Sequence, residues 1–261
     1  YQTREFEERF LKIGINYRII GGTKFYERAE VKDATCYLRI INQKFDDIAF
    51  ERIINTPRRG LGESTIKQLH EFSSKNKICL EDSAHKLLQL DKFKPKIRAT
   101  IKHFLELLIK WRSDLKKKKH YDLLKIVLDE SGYSAMLKNK KDLENENRLE
   151  NLKELLRAMH DYDNLQGFLE HVALATSIDQ EWEDEKVNIM TMHAAKGLEF
   201  MTVFLPGWEE GLFPHQKSLE EKGDFALEEE RRLAYVGITR AQKKAYISFA
   251  MKRTWHGEYM D

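Results

Sequence analysis

Long apolar runs, cysteines and prolines are all scarce in this chain of 261 residues. No apolar run approaches the roughly 18–20 residues that a membrane-spanning helix needs, which argues against a membrane protein. The two cysteines, Cys36 and Cys79, lie in helical, partly apolar stretches. They therefore indicate buried thiols in a reducing compartment rather than a disulfide scaffold. The first residues, "YQTREFEERF", begin in mid-helix and resemble no signal peptide, so we expect a fragment of a longer protein.

A strong excess of charge of one sign is also missing. The 45 Lys and Arg residues nearly balance the 43 Asp and Glu residues, and the net charge is +2. Any basic surface for nucleic acid must therefore be local. The basic runs at 114–120 and 138–142 are more typical of a solvated face, with phosphate contact as the alternative.

Several catalytic motifs are absent. None of the thirteen glycines is followed by Lys-Ser or Lys-Thr, so the chain has no loop of the kind that cradles a triphosphate. The stretch "KIVLDES" (125–131) imitates a strand that ends in magnesium-binding carboxylates. However, the neighbouring leucines and Val127 fit one face of a helix, which is the favoured interpretation. Because no His and Cys cluster has zinc spacing either, no metal site is predicted.

The pattern of apolar residues changes twice along the chain. A helix is predicted over 3–13 and a short strand at "YRII" (17–20), followed by mainly helical spacing until about residue 180. Beyond it, "KVNIMTMH" (186–193) and "MTVFLPG" (201–207) indicate strands. A helix over about 226–241 and a strand at 243–250 follow.

Strands at both ends with helices between them predict an α/β domain that is interrupted by an all-helical insertion. The α/β domain would comprise residues 1–30 and 183–261, and the insertion would comprise residues 31–182. Two consecutive domains are the weaker alternative, because the N-terminal helix and strand are too small to fold alone.

Polar residues cluster where the first of the two later strands ends. Thr191, His193, Lys196 and Glu199 surround a short "AAKG" loop between two strands. In open α/β sheets, ligands bind at the carboxyl ends of strands, so this loop is a candidate site. Taken alone, His193 is more typical of a hydrogen-bonded histidine at a strand end, but four polar residues together at this junction favour a site.

The stretch "AYVGITRAQ" (234–242) places a glycine and an arginine at the end of the last predicted helix. Gly237 costs about 1 kcal/mol relative to alanine in a helix interior, which a close approach of another segment would explain. Arg240 either binds the carbonyl groups at the helix end or presents its guanidinium to a phosphate.

A second candidate loop precedes a predicted helix in the middle of the chain. Gly60 and Gly62 make a tight turn before "ESTIKQL", and Arg58 and Arg59 add positive charge. The free amides of a helix N-terminus favour an anion, so an anion-binding loop is one interpretation. A plain turn between two helices is the other.

Longer motifs resemble one known family. "MTMHAAKGLEF" (190–200) and "EEERRLAYVGITRA" (228–241) resemble the fifth and sixth signature motifs of UvrD/Rep/PcrA-type superfamily 1 DNA helicases. The segments 17–39, 55–65 and 207–215 are similar to further parts of the same family in the same order. The resemblance spans essentially the whole chain.

The resemblance implies the second motor domain of such a helicase. This would be a RecA-like, P-loop-NTPase-type parallel-sheet domain, interrupted by a large all-α insertion. The whole enzyme would use ATP and Mg²⁺, bound mainly by a missing first motor domain, to move 3′ to 5′ on single-stranded DNA and unwind duplex DNA. Implied partners are both forms of DNA, the N-terminal motor domain of the same protein, and repair or replication proteins. A cytoplasmic, nucleoid-associated location is implied, and the fragment alone should be inactive.

The resemblance also implies roles for individual residues. Arg240 would be an arginine finger toward the γ-phosphate, Glu199 would contact the nucleotide sugar, and Lys196 would lie near the same cleft. The DNA contacts would come from two loops and comprise Thr191, His193, Arg58, Arg59, Gly60 and Gly62. Segment 21–33 would be a hinge, while Trp208 and Phe213 would either stack on bases or pack in a core.

Two other functions remain open. The chain could be a non-enzymatic DNA-binding or interaction module on a degenerate motor fold, or the motor part of a helicase-nuclease. A triad of Lys196, Glu199 and Arg240 favours the helicase, because a scaffold has no need of it.

Overall fold

The chain forms two compact units in the computed structural model, which describes residues 3–139, 143–177, 186–214, 224–251, 253–255 and 258–260. The first unit comprises Tyr1–Gly14 and Lys24–Asp184, and the second comprises Ile15–Thr23 and Glu185–Asp261. Helices make up the first unit, and strands with one helix make up the second.

The helical unit consists of amphipathic helices joined by short loops. Its helices are α1 (Thr3–Ile13), α2 (Ala29–Asn42), α3 (Asp47–Ile54), α4 (Glu63–Asn76), α5 (Leu80–Gln89), α6 (Pro95–Leu115), α7 (His120–Glu130), α8 (Tyr133–Lys138), α9 (Leu143–Met159) and α10 (Leu165–Ser177). Local sequence explains several boundaries. Asp46 caps α3 by accepting a hydrogen bond from the Ala49 amide at 3.0 Å, and Pro95 occupies the first turn of α6.

Large aromatic residues fill the core of the helical unit. Tyr37 and Trp111 meet edge to face at 5.8 Å, and Phe50 and Phe104 do so at 5.9 Å. All four are at most 1% exposed, and burying each contributes about 1.5–3 kcal/mol before its entropy cost. The helix predicted around residues 125–131 is confirmed as part of α7, whose apolar face is buried.

The observed units differ from the predicted domains at the N-terminus. Helix α1 belongs to the helical unit because its charged residues are bound there: Arg4 forms ion pairs with Glu8 at 2.7 Å and Glu154 at 2.6 Å. The Glu7 carboxylate accepts from the Phe25 amide at 3.2 Å. A short 3-10 helix, Phe25–Glu27, and the start of α2 lie within the segment 21–33. Its role as a hinge stays a prediction.

The second unit contains two pairs of parallel strands. Strand β1 (Tyr17–Ile20) pairs with β2 (Val187–Met190), and β3 (Phe200–Pro206) pairs with β4 (Ala241–Ser248). Helix α11 (Asp224–Ile238) connects β3 to β4. A short antiparallel pair, β5 (Arg253–Trp255) and β6 (Glu258–Met260), follows. These small parallel sheets and helices support the α/β class predicted from the sequence.

Two further predictions concern single features. Cys36 is buried, and burial raises the pKa of its thiol, whereas Cys79 is half-buried and accepts from the Asp82 amide at the start of α5. Among the described helices, none combines the length and the apolar character needed to cross a membrane.

Candidate functional site

The loop between β2 and β3 is a compact turn of nine residues, Thr191–Glu199. The Ala195 amide donates to the Thr191 carbonyl at 3.1 Å, and the Leu198 amide donates to the Ala195 carbonyl at 3.0 Å. Gly197 has a φ of +85°, in the region that favours glycine. The short loop between two strands that the sequence predicts is therefore confirmed.

All four polar candidates on this loop are exposed. Thr191 accepts from the Ala194 amide at 3.2 Å through its hydroxyl, which shapes the start of the turn. His193, Lys196 and Glu199 extend from the same turn, while the buried Ala195 anchors it. The loop thus presents a hydroxyl, an imidazole, an ammonium and a carboxylate within nine residues.

Helix α11 approaches this loop closely at Gly237. A Cβ atom at this position would lie 2.8 Å from Met192 Sδ and 3.4 Å from Leu205 Cδ2. Contacts below 3.0 Å are not tolerated without displacement, so the glycine permits the helix end to pack on the loop. The close approach that the glycine implied is confirmed, although the neighbour is a side chain rather than a backbone.

Arg240 lies between the end of α11 and the start of β4. Its guanidinium donates to the Val236 carbonyl through Nε at 3.0 Å, to the Leu198 carbonyl through Nη1 at 3.0 Å, and to the Thr239 hydroxyl through Nη2 at 3.0 Å. The Arg240 carbonyl in turn accepts from the Phe200 amide at 2.9 Å. The arginine therefore joins its own helix end to the Glu199 side of the loop.

The acceptors around Arg240 are all neutral. Two are backbone carbonyls and one is a hydroxyl, and no ion pair to Arg240 occurs within the described parts of the chain. The side chain is half-exposed. Arg240 therefore binds carbonyl groups, including one at the helix end. Among the described residues no carboxylate neutralises its charge, so the guanidinium is compatible with a phosphate as well.

Glu199 has a partner that sequence reasoning missed. Gln242, the second residue of β4, donates from Nε2 to Glu199 Oε2 at 3.2 Å. The residue lies within the stretch "AYVGITRAQ" that the sequence singled out, two positions after Arg240.

The second candidate loop, residues 55–62, lies in the helical unit. Asn55 organises it, since its Oδ1 accepts from the Arg59 amide at 2.8 Å and its Nδ2 donates to the Leu61 carbonyl at 2.7 Å. Gly60 has a φ of +77°, and Gly62 occupies the N-cap of α4 without a side-chain cap. Both glycines and Arg58 are exposed, and nothing lies within 4 Å of a Cβ built on either glycine.

Arg59 differs from its neighbour. Its guanidinium donates to the carbonyls of Ile53 at 2.7 Å and Ile54 at 3.0 Å, and to the Tyr37 hydroxyl at 2.7 Å. The expectation that both arginines offer their side chains to phosphate therefore needs revision, because Arg59 points into its own unit.

Two aromatic candidates contact each other. Trp208 and Phe213 lie with ring centroids 5.0 Å apart, and both residues are half-buried. The described residues contain no group of three or more His, Cys, Asp or Glu side chains that could hold a metal ion.

The chain matches a known protein family over almost its whole length. The family model for the UvrD-like helicase C-terminal domain matches residues 1–252. The chain belongs to this family.

Relatives across bacteria carry the same segment. The chain is 42% identical over 255 residues to a probable DNA helicase II homolog of Rickettsia felis. The aligned region covers 97% of the chain and 39% of the relative. It is 40% identical to the ATP-dependent DNA helicase PcrA of Bacillus subtilis, with 98% of the chain and 36% of the relative covered. DNA helicase II of Escherichia coli is 39% identical, and the aligned region covers 98% of the chain and 37% of that relative.

The chain thus spans less than two fifths of the length of these relatives. Because the family model extends through both candidate loops and the α11–β4 junction, all of the motifs described above fall inside the family domain.

Proposed function

We propose that the chain is the second motor domain, with its helical insertion, of an ATP-dependent DNA helicase that moves 3′ to 5′ on single-stranded DNA and unwinds duplex DNA. The strand unit would have a RecA-like fold, and the helical unit would be the insertion. The observation that carries the proposal is the Arg240 guanidinium, which lies at the Glu199 loop with neutral acceptors only. Family membership supports the same activity.

The residues present fit one side of an ATP site. A guanidinium that no carboxylate neutralises can bind a phosphate bidentately, and Arg240 is half-exposed. Glu199, oriented by Gln242, would contact the nucleotide sugar, and Lys196 would lie near the same cleft. ATP, when bound, supplies the phosphoanhydride bond whose hydrolysis drives the cycle. Mg²⁺ and most of the phosphate contacts would belong to a first motor domain, which would be this chain's partner.

DNA would contact two separate loops. Thr191 and His193 would hold single-stranded DNA by its phosphates, which positions the strand without reading its bases. Arg58 and the free amides near Gly60 and Gly62 would contact the phosphates of duplex DNA. Repair or replication proteins would be further partners of the whole enzyme.

The test is DNA-stimulated ATP hydrolysis by the full-length protein that carries this chain. We expect Arg240→Ala to lower kcat by about 10³–10⁵, as arginine fingers do, while single-strand affinity stays within about threefold. Arg232→Ala is the matched control, since Arg232 is exposed on α11, the helix that ends two residues before Arg240, and pairs only with Glu229 among the described residues. Equal losses of turnover and DNA binding in Arg240→Ala would argue against the proposal.

A second measurement uses the chain alone. It should hydrolyse no ATP, because the phosphate loop is absent from its sequence. ATP hydrolysis by the isolated chain that disappears in Arg240→Ala would contradict the proposal that a first motor domain holds most of the ATP site. DNA binding by the full-length protein without any DNA-stimulated hydrolysis would instead identify a non-enzymatic module.

A further inference from the structure

The side chain of Arg59 lies where the ends of two helices converge. Its Nη1 donates to the Ile53 and Ile54 carbonyls in the last turn of α3, at 2.7 and 3.0 Å. Its Nη2 donates to the carbonyl of Ser131, the C-cap of α7, at 3.3 Å. Helix C-termini carry partial negative charge, so one guanidinium satisfies two of them.

Two buried aromatic rings fix the same guanidinium. Its central carbon lies 4.9 Å from the centroid of Phe104, a cation–π distance, and its Nη2 donates to the Tyr37 hydroxyl at 2.7 Å. The Tyr37 hydroxyl in turn donates to the carbonyl of Thr56 at 2.5 Å, at the start of the loop. Because Tyr37 and Phe104 are 0% exposed, Arg59 connects the loop directly to the core.

Both terminal nitrogens of Arg59 are therefore engaged within the fold, and its backbone amide is bound by Asn55 at 2.8 Å. A phosphate could bind this side chain only by breaking those bonds. Arg58, one residue earlier, is exposed. The two adjacent arginines thus have opposite environments, one at the surface and one against the core.

We propose that Arg59 is a positioning residue, which anchors residues 56–62 to the helical core so that Arg58 and the amides of the α4 N-terminus meet duplex phosphates as one rigid surface. This inference rests on the proposed duplex contact. Anchoring matters because a loop that is already ordered loses less conformational freedom on binding. Lysine cannot replace Arg59, since an ammonium has no planar fork to reach these four acceptors and the Phe104 ring together.

The test compares paired variants of the full-length protein in binding a fluorescent duplex with a 3′ single-stranded tail, across a salt series. Arg58→Gln should weaken binding about five- to tenfold and reduce the salt slope by about 0.9, the value for one phosphate contact. Arg58→Lys should bind nearly as the parent does, because a point charge suffices at the surface. Arg59→Lys should bind as weakly as Arg59→Gln, despite its retained charge.

Tyr37→Phe removes the hydroxyl that binds both Arg59 and the Thr56 carbonyl, without altering charge. Like Arg59→Lys, it should weaken duplex binding. Arg52→Gln is the control for general destabilisation. Arg52 is a neighbouring arginine of α3 that binds Asp33 at 2.6 Å and makes no hydrogen bond to the loop. It should lower the melting temperature and leave duplex affinity unchanged. Single-strand affinity should be constant throughout.

Amide hydrogen exchange of residues 58–62 supplies a readout that needs no DNA. Exchange should accelerate in Arg59→Lys and Tyr37→Phe and stay at the parent rate in Arg58→Gln. Parent-like exchange and affinity in Arg59→Lys, or an equal affinity loss in Arg52→Gln, would overturn the inference. If Arg58→Gln binds duplex as the parent does, the proposed duplex contact is wrong, while the exchange rates still decide whether Arg59 anchors the loop.

Discussion

Gly237 lies so close to Met192 that a Cβ atom added at the glycine would have to displace the methionine side chain. A Cβ atom on Gly237 would lie 2.8 Å from Met192 Sδ, although the glycine sits in the last turn of α11, where alanine would favour the helix. The packing of this helix end against the loop at residues 191–199 therefore depends on the smallest residue at 237.

Gly237→Ala should lower the stability of the chain by about 1 kcal/mol, because crowding of about 1–3 kcal/mol outweighs the helix propensity of alanine. In a Met192→Ala background, the same substitution should be neutral or stabilising. Thermal or urea unfolding of all four proteins measures this coupling. Gly167→Ala is the control, since its Cβ would meet nothing closer than Asn164 at 3.7 Å. Equal effects of Gly237→Ala in both backgrounds would exclude the steric explanation.

The Thr239 hydroxyl connects Arg240 to the end of α11. It accepts from Arg240 Nη2 at 3.0 Å and donates to the Tyr235 carbonyl at 2.8 Å. Thr239→Val keeps the shape and removes the hydroxyl, so Arg240 loses one of its three acceptors. We expect ATP turnover by the full-length protein to fall about tenfold from the misplaced guanidinium, while Thr239→Ser stays near the parent value.

Steady-state kcat and melting temperature, measured together, separate this effect from unfolding. If Thr239→Ser is slow and Thr239→Val turns over as fast as the parent, the methyl group of Thr239 matters and the hydroxyl does not.

Local patterns in the sequence predicted the strand unit well. The alternation in 186–193 and the apolar run in 201–207 became β2 and β3, and the polar turn between them holds the predicted residues. The predicted end of this helix, at residue 241, lies three residues beyond the observed end of α11 at Ile238. The Thr239 hydroxyl binds the last carbonyls of the helix, and Arg240 already pairs through its carbonyl with Phe200 of β3.

Two neighbouring arginines show why the environments of individual side chains could not be predicted from the sequence. Arg58 and Arg59 have the same side chain and the same local context, yet only one faces the core. The partners that decide this, Tyr37 and Ser131, lie 22 and 72 residues away in the chain. Spacing along a single sequence does not contain such contacts, because they arise from how helices pack.

Gln242 should act on the nucleotide through Glu199. Gln242→Ala removes the donor at 3.2 Å that orients the Glu199 carboxylate. If Glu199 binds the sugar, the KM for ATP should rise about threefold with kcat unchanged. The sugar contact stabilises the bound substrate and the transition state equally, so its loss weakens binding without slowing the chemical step. Lys244→Ala, an exposed change on the same strand, is the control. A fall in kcat at constant KM would instead place Gln242 in the turnover step.

His171 should make the helical unit sensitive to mild acid. The ring packs against Tyr26 at 5.7 Å and Tyr162 at 5.2 Å, and its Nε2 is buried without a hydrogen-bond partner among the described residues. Burial lowers the pKa of His171 below its ordinary value of 6.5, despite the opposing effect of Glu8. Below that value the unfolded chain binds the proton more readily than the folded chain, so stability should fall as pH drops from 7 toward 5.

His171→Leu removes both the titrating group and the unpartnered nitrogen. We expect the stability of this variant at pH 7 to equal or slightly exceed that of the parent, and its decline between pH 7 and pH 5 to be shallower. Urea unfolding at a series of pH values measures the difference. His103→Leu, at an exposed position on α6, should leave the decline unchanged. A parent-like decline in His171→Leu would assign the acid sensitivity to other groups.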